Sequence, residues 1–237
     1  MPSKETNPTD VLLGVIYAYL LAENIAEFPF DKHHILTALP ILKSGHFLGD
    51  LAGGIYHYTM DTFDSRLLKQ AHINFRKHHK NVLSLENFPM SESLTELTIM
   101  GSPLLLCNLM LSKYTKNKWI SDIIAILIVF NLVVCSAQIA HRMSHRRVHE
   151  YDKNGKKQFH IPKFVKWLQD HNIILNPEHH KRHHKTEVLN YCISNGSSSW
   201  LLDWAIDKLN LPVSIYNNSG GKHRVLDKKE RKIYQQL

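Results

Sequence analysis

The chain of 237 residues is 43% hydrophobic and 21% charged, which excludes a disordered or collagen-like protein. Its 29 Lys and Arg against 21 Asp and Glu give a formal net charge of +8, which suggests contact with anionic lipid head groups or nucleic acid without choosing between them. Three cysteines with no C-x-x-C pair exclude a disulfide framework and a zinc ribbon. Histidine is the unusual residue type, with 17 copies.

Four apolar stretches have lengths suited to helices that cross a membrane. The candidate spans are 11–28, 36–60, 94–112 and 119–140. The last is the strongest, because Asp122 is its only formal charge. The basic loop 61–93 and the basic residues after 140 would then share the cytosolic side with both termini, although three lysines in 113–118 would lie outside. The alternative is a soluble protein with four buried core helices.

The span 36–60 carries a polar stripe. With His46 as reference, Asp50, His57 and Asp61 fall within about 60° around a helix. Each such group costs roughly 2 to 3 kcal/mol in hydrocarbon. The stripe therefore predicts a functional face inside a bundle, and the alternative is the solvated face of a soluble helix.

Histidines recur in pairs and at four-residue spacing. His78 and His79 are adjacent, and His141 and His145 lie four residues apart just beyond the strongest span. The run 179–184 (HHKRHH) adds two overlapping pairs of the same spacing, so each pair shares one helix face. One such pair is weak support for a metal, but recurrence at three places predicts metal binding.

The types of ligand favour iron. Neither HRMSH nor HHKRHH contains the glutamate of a catalytic zinc helix. Many imidazoles with few carboxylates suit two borderline metal ions with open positions, and iron is the usual choice when these bind dioxygen. A soluble di-iron bundle would instead show Glu-x-x-His motifs. Histidine boxes at the ends of membrane helices thus predict an oxygen-activating lipid desaturase or hydroxylase.

The sequence resembles the Kua or CarF-like lipid desaturases, which include plasmanylethanolamine desaturase and a plant plastid desaturase of phosphatidylglycerol acyl chains. The matching stretches are GDLAGGIYHYTMDT (49–62), FRKHHK (75–80), QIAHRMSH (138–145), WLQD (167–170), and HHKRHH followed by NYCISNG (179–196). The fold expected is all-α, an integral membrane four-helix histidine-box architecture with interfacial and cytosolic helices. We predict a polar tail over 1–10, a membrane lipid desaturase domain over 11–212 and a basic tail over 213–237.

The resemblance implies a di-iron centre that uses dioxygen and two electrons to remove two hydrogens from a lipid chain. It implies that the metal ligands are His57, His78, His79, His141, His145, His180, His183 and His184. Possible further ligands are His179 and His171. Glu86 could also offer oxygen, although a solvated loop glutamate is the simpler interpretation.

Other polar residues are given supporting roles. Asp50 and Asp61 are expected to orient ligand histidines rather than to bind iron. Arg142, Arg146 and Lys181 could hold the lipid phosphate, or could equally be solvated charges. His33, His34, His160 and His223 are expected to tolerate alanine, and His46, His72 and His149 are left open. The segments 161–175 and 200–209 predict interfacial helices, with ordinary amphipathic helices as the alternative.

The substrate is less determined than the chemistry. Formation of the vinyl-ether bond of plasmalogens is the first expectation. However, plasmanylethanolamine desaturases carry histidines at three further positions. This chain has Glu86 or Asn87 at the first, Asn172 at the second, and Leu189 or Asn190 at the third. The stretch NYCISNG also looks more like the plant branch. The alternatives are desaturation of a phospholipid-linked acyl chain, a lipid hydroxylase on the same scaffold, and a non-enzymatic zinc-binding membrane protein.

The expected partners follow from this chemistry. They are a phospholipid and a separate electron donor such as cytochrome b5 or ferredoxin, because the chain has no dinucleotide-binding motif. No nucleic-acid partner is expected. The predicted location is an endoplasmic-reticulum-type membrane, with the chain as a multi-pass protein whose histidine motifs and termini are cytosolic.

Overall fold

The computed structural model describes residues 8–28, 31–63, 69–87, 90–114, 117–216 and 223–236. Over these residues the chain is predominantly helical, as the sequence predicts. The helices are α1 (Pro8–Ala26), α2 (Lys32–Thr62), α3 (Lys69–Lys80), α4 (Met90–Tyr114), α5 (Lys118–Val148), α6 (Lys163–Asp170), α7 (Pro177–Thr186), α8 (Ser199–Lys208) and α9 (Lys228–Gln235). A short 3-10 helix, Val82–Asn87, follows α3. The strands β1 (Val213–Tyr216) and β2 (His223–Leu226) form an antiparallel hairpin.

The chain divides into two compact units. The first unit comprises Met1–Gly49 and Asn87–Ser136, and the second comprises Asp50–Glu86 and Ala137–Leu237. Helices α2 and α5 each contribute residues to both units.

The first unit has an apolar core crossed by a few buried hydrogen bonds. Its core includes Phe28, Ile41 and Ile128, and α1 packs against α4. The side-chain amide of Asn24 donates to the carbonyl of Leu105 over 2.9 Å. Gly45 permits α2 to approach α5 closely, since a Cβ there would lie 2.6 Å from Cβ of Val129. Such polar links and close approaches are typical of helices that associate in lipid.

The second unit is built around the segment between α7 and α8. Its core includes Tyr58, Tyr191, Cys192, Leu202 and Ile206. Helix α7 begins where the Asn176 side chain accepts the N–H of Glu178, and it ends at Glu187, whose φ of 56° is left-handed. These two signals confine the HHKRHH run to a single short helix.

The residues after 212, described above as a basic tail, contain secondary structure that the sequence analysis did not predict. Val213, Ile215 and Leu226 are buried in the core of the second unit. The buried Arg231 of α9 donates to the carbonyls of Ile206 and Leu211 over 3.1 and 2.6 Å. The sequence analysis did not predict the two strands, because each has only four residues and basic residues dominate the composition of this region. The boundary of the domain at 212 stays a prediction.

The membrane predictions find support mainly in α5. Among the described residues it is the helix that is both long and apolar enough to cross a membrane. Residues Val11–Ala26 of α1 form a shorter apolar helix. Helices α2 and α4 cover the other two candidate spans, 36–60 and 94–112. The segments predicted to be interfacial form α6 and α8, and Trp200 is 65% exposed.

Candidate metal centre

Among the described residues, nine potential ligands form two groups inside the second unit. Within each group the ligand atoms all lie within 4.8 Å of one another. The five-histidine group consists of His78, His141, His145, His180 and His184, and the Asp61 group consists of His57, Asp61, His79 and His183. The two groups are adjacent, because the rings of His78 and His79 have centroids 4.6 Å apart, as do those of His79 and His184. The structure thus brings together all eight histidines that the resemblance implies as ligands.

Helical geometry explains how the residues divide between the groups. Residues four apart share one face, and this places His141 with His145, His180 with His184, and His57 with Asp61. Adjacent helical residues diverge by about 100°. His78 and His79 at the end of α3 therefore enter different groups, and so do His183 and His184 of α7.

In the five-histidine group the Nε2 atoms converge. The Nε2 atom of His145 lies 3.1 Å from that of His141 and 2.9 Å from that of His180, which is 3.0 Å from Nε2 of His184. Imidazoles that bind one ion at about 2.0 to 2.1 Å place neighbouring nitrogens roughly 3 Å apart. The separations therefore suit nitrogens that face a common ion.

In the Asp61 group three Nε2 atoms surround one carboxylate oxygen. Oδ2 of Asp61 lies 3.1 Å from Nε2 of His79, 3.2 Å from that of His57 and 3.5 Å from that of His183. We expected Asp61 to orient ligands from outside the centre, but its oxygen lies among the ligand nitrogens. It is therefore a potential ligand itself.

Backbone carbonyls fix two histidines of the Asp61 group. Nδ1 of His57 donates to the carbonyl of Tyr191 over 2.9 Å, and Nδ1 of His183 donates to that of Leu189 over 2.7 Å. A carbonyl only accepts, so each Nδ1 carries the proton and each Nε2 presents a lone pair. Both imidazoles are thereby held in the tautomer that a metal needs.

The two groups fit metal ions by the chemistry of their buried nitrogens. A buried nitrogen without a hydrogen bond costs about 1 to 3 kcal/mol. Both ring nitrogens of His78 have no hydrogen-bond partner, and Nε2 of His57 lies near Asp61 without hydrogen-bond geometry. The same lack of a partner holds for Nδ1 of His79, His141, His180 and His184. A metal ion in each group would satisfy those buried nitrogens that face it, such as Nε2 of His57.

The electrostatic environment differs between the groups. Burial, reinforced by neighbouring imidazoles, lowers the pKa values of His78, His180 and His184 well below 6.5, which keeps them in the neutral, ligating form. Burial also lowers the pKa of His79, but the Asp61 carboxylate outweighs it and the net shift is upward.

Asp50, expected to orient a ligand histidine, has a different environment. It is fully buried, and its carboxylate accepts the backbone N–H groups of Ser194, Asn195, Gly196 and Ser198 at 3.0 to 3.2 Å. It also accepts the Ser198 hydroxyl at 2.8 Å. These contacts brace the residues that precede α8, and none of the hydrogen bonds described for Asp50 reaches a histidine of either group.

The possible further ligands lie outside both groups in the described part of the chain. Nε2 of His179 is 3.2 Å from Oγ of Ser199. His171 is exposed, and its Nδ1 donates to the carbonyl of Trp167 over 2.8 Å. His72, left open above, is buried and donates from Nδ1 to the carbonyl of Met60. The side chain of Glu86 lies outside the described residues.

The basic residues proposed to hold phosphate have varied surroundings. Arg142 is buried, Arg146 lies over the ring of Phe159 at 5.9 Å, and the exposed Lys181 pairs with Glu178 at 3.4 Å. In the first unit, His33 pairs with Asp122 at 3.0 Å and Nε2 of His34 lies 3.0 Å from Oγ of Ser121. Sequence reasoning missed these contacts and the carbonyls of Leu189 and Tyr191. Backbone acceptors leave no signal in a sequence.

Together, the helical fold and the two adjacent histidine-rich groups define a candidate dinuclear metalloprotein. Comparison with known proteins narrows this class. Residues 46–211, more than half of the chain and all nine potential ligands, match the family model of the lipid desaturase domain. The chain therefore belongs to the lipid desaturase family of the Kua/CarF-like type, which confirms the resemblance noted in its sequence.

One curated relative supports the same family. The chain is 26% identical over 166 residues to the protein named fatty acid desaturase 4-like 2, chloroplastic, from Arabidopsis thaliana. The match covers 68% of this chain and 53% of that protein, so the chain spans about half of the relative's length. No solved structure shows significant similarity to the chain.

Proposed function

We propose that this protein is a membrane-bound, di-iron, dioxygen-dependent lipid desaturase. The observation that carries the proposal is the pair of adjacent ligand groups, whose buried imidazole nitrogens have few hydrogen-bond partners and lie inside the matched domain. The five-histidine group would hold one iron and the Asp61 group the other. Asp61 would serve as a ligand or form an ion pair with His79.

The bound irons would supply the activated dioxygen that can break an unactivated C–H bond. The overall reaction takes two hydrogens from the lipid and two electrons and two protons from the donor side, and reduces dioxygen to two waters. The electrons would come from a separate protein such as cytochrome b5 or ferredoxin. The chain's own residues keep the imidazoles of His78, His180 and His184 neutral, fix the tautomers of His57 and His183, and bury the centre away from bulk water.

We propose the vinyl-ether bond of plasmalogens as the product, formed from a plasmanyl phospholipid. This substrate is consistent with the sequence stretches shared with the Kua/CarF-like desaturases, a family that includes plasmanylethanolamine desaturase. The second candidate is the desaturation of a phospholipid-linked acyl chain, and it is favoured by the name of the Arabidopsis relative, which is that of a fatty acid desaturase. A lipid hydroxylase and a zinc-binding membrane protein are the remaining alternatives.

We further propose four membrane spans formed by α1, α2, α4 and α5, in an endoplasmic-reticulum-type membrane with both termini and the metal centre on the cytosolic side. Supporting observations are the length and apolar composition of α5 and the apolar side chains exposed on α2, such as Leu36 at 83%. Alkaline carbonate should then fail to extract the protein, and tags at both ends should be accessible from the cytosol. A carbonate-soluble protein would contradict the four-span proposal.

Lipid analysis tests the activity directly. The chain is expressed in cells that lack their own plasmanylethanolamine desaturase, and their lipids are analysed by mass spectrometry. Vinyl-ether lipids support the first substrate, whereas a new double bond in an acyl chain supports the second. The addition of one oxygen without loss of hydrogen indicates the hydroxylase. Cells expressing His184→Ala, a member of the five-histidine group, should give none of these products.

Metal analysis tests the centre independently of activity. Purified protein should contain about two irons per chain, the number given by the two ligand groups. Protein that retains zinc alone after expression in iron-replete cells would overturn the di-iron proposal.

A further inference from the structure

The turn between α7 and α8 supplies the acceptors that orient half of the Asp61 group. Leu189 and Tyr191 each present a carbonyl to Nδ1 of one histidine, His183 and His57 respectively. The Nε2 atoms of the same two rings lie 3.5 and 3.2 Å from Oδ2 of Asp61. A shift of this turn would therefore break both hydrogen bonds from Nδ1. Both rings could then rotate or change tautomer.

The turn has a backbone conformation that requires support. Its central residue, Asn190, lies between Leu189 and Tyr191, whose carbonyls accept the two hydrogen bonds, and it has a left-handed φ of 61°. Glu187, three residues earlier, is also left-handed, with a φ of 56°. Non-glycine residues in this region cost free energy and persist when surrounding contacts hold them.

One side chain anchors the centre of this turn. The backbone N–H of Asn190 donates to both carboxylate oxygens of Asp203, at 3.2 Å each. Asp203 lies on α8, whose neighbouring residues Leu202 and Ile206 are buried in the core of the second unit. Asp203 is partly buried, and burial raises its pKa to about 7 against the opposing effect of the Asn190 N–H. The anchor is thus attached to a well-packed helix.

We propose that Asp203 is a positioning residue for the Asp61 group, which acts through Asn190 to fix the carbonyls of Leu189 and Tyr191 and thereby the metal-binding tautomers of His183 and His57. This inference rests on the proposed function, since it concerns the same centre. It is selective, because none of the hydrogen bonds described for the five-histidine group involves residues 187–193. Loss of Asp203 should consequently affect one metal and spare the other.

Three variants test the proposal in the holoenzyme. Asp203→Ala removes the acceptor, and Asp203→Asn retains one acceptor oxygen. Asp207→Ala removes a carboxylate one turn further along α8 and serves as the matched control. The proteins are loaded with isotopically enriched iron and compared by iron content, Mössbauer spectrum and circular dichroism.

Asp203→Ala should weaken iron binding at one site by about 10- to 100-fold, the effect typical of losing an outer support of a metal ligand. One of the two iron signals should shift or disappear while the other persists. Asp203→Asn should lie between Asp203→Ala and the wild type, and Asp207→Ala should match the wild type. A change confined to one signal separates positioning from general loss of structure.

Two results would overturn the inference. In the first, Asp203→Ala keeps both iron signals unchanged. In the second, both signals weaken equally, which indicates a general structural role. If Asp203→Ala fails to fold, Asp203→Asn decides, and a wild-type spectrum in that variant overturns the inference. Wild-type protein without iron would instead contradict the proposed function, so the two failures are distinguishable.

Discussion

The two ligand groups of the second unit are built by different means. The five-histidine group combines two i, i+4 pairs on α5 and α7 with His78, and it contains only imidazoles. The Asp61 group contains a carboxylate, and two of its histidines are fixed by carbonyls of a turn. The first group therefore depends on the packing of helices, whereas the second depends on one negative charge and a loop conformation. Equivalent substitutions in the two groups should have distinguishable effects.

The largest effects should come from removing one ligand from each group. His183→Ala and His184→Ala alter neighbouring residues of α7 that belong to different groups. Both should abolish desaturation, because oxygen activation requires both metals, but each should eliminate a different iron signal in the Mössbauer spectrum. Membrane insertion should be unchanged in both.

His179→Ala is the matched control for these two variants, because His179 lies on the same helix and contacts Ser199 instead of either group. It should keep at least partial activity and both iron signals. Wild-type turnover in His183→Ala or His184→Ala would show that the di-iron proposal is wrong.

The next largest effect should follow from Asp61→Asn, which keeps the shape of the side chain and removes its charge. Iron retention against a chelator should fall by about 10- to 100-fold at the Asp61 group and should stay normal at the five-histidine group. Asp207→Asn removes a charge elsewhere in the second unit and should have no such effect. Equal iron loss from both groups in Asp61→Asn would remove the distinction drawn between them.

A smaller effect should follow from crowding the turn at Cys192. A Cβ at Gly54 would lie 2.3 Å from Sγ of Cys192, the residue after Tyr191, whereas a Cβ at Gly53 would meet nothing closer than 3.8 Å. Gly54→Ala should therefore destabilise the fold by about 1 to 3 kcal/mol. Gly53→Ala should be close to neutral. Thermal unfolding of both variants measures the difference, and equal melting temperatures would contradict the close approach of α2 to this turn.

The stability of the metal-free protein should depend on pH through the five-histidine group. The pKa values of His78, His180 and His184 are lowered in the folded protein, so below 6.5 the unfolded chain binds more protons than the folded chain. Stability of the metal-free protein should thus decrease as the pH falls below 6.5. Denaturant unfolding between pH 7.5 and pH 5 tests this, and constant stability would contradict neutral burial of the histidines.

The smallest effects should come from the histidines of the first unit. His33→Ala should leave iron content and activity unchanged, as the sequence analysis expects. His34→Ala should also keep activity, but it removes the part-buried contact with Ser121 and should cost about 1 kcal/mol of stability. Iron loss in either variant would show that these residues influence the centre.

The sequence predicted which histidines lie close together, but it did not predict how they divide between the five-histidine group and the Asp61 group. The helical fold and the eight histidines were accessible from spacing and family resemblance. The assignment of His78 and His79 to different groups depends on where α3 ends and on the rotation of that helix against its neighbours. The sequence placed Asp50 on the same helix face as His57. It could not predict the contacts of Asp50 with the residues before α8, because its partners there are mainly backbone N–H groups, which any sequence would supply. The role of Asp203 was hidden for the same reason.

The order in which the ligands occur along the chain has a consequence for biosynthesis. The nine ligands extend from residue 57 to residue 184, and the helix that supplies the last three is followed by the turn that orients His57. Neither group is complete until the ribosome has released α7, and His57 is not oriented until residue 191 has also emerged. Until then the histidines of α2, α3 and α5 lack the other ligands of their groups. In the proposed di-iron protein, metal insertion would therefore be coupled to the final steps of folding. In cells short of iron, newly made protein should then be degraded faster. Its degradation rate would report on the supply of metal.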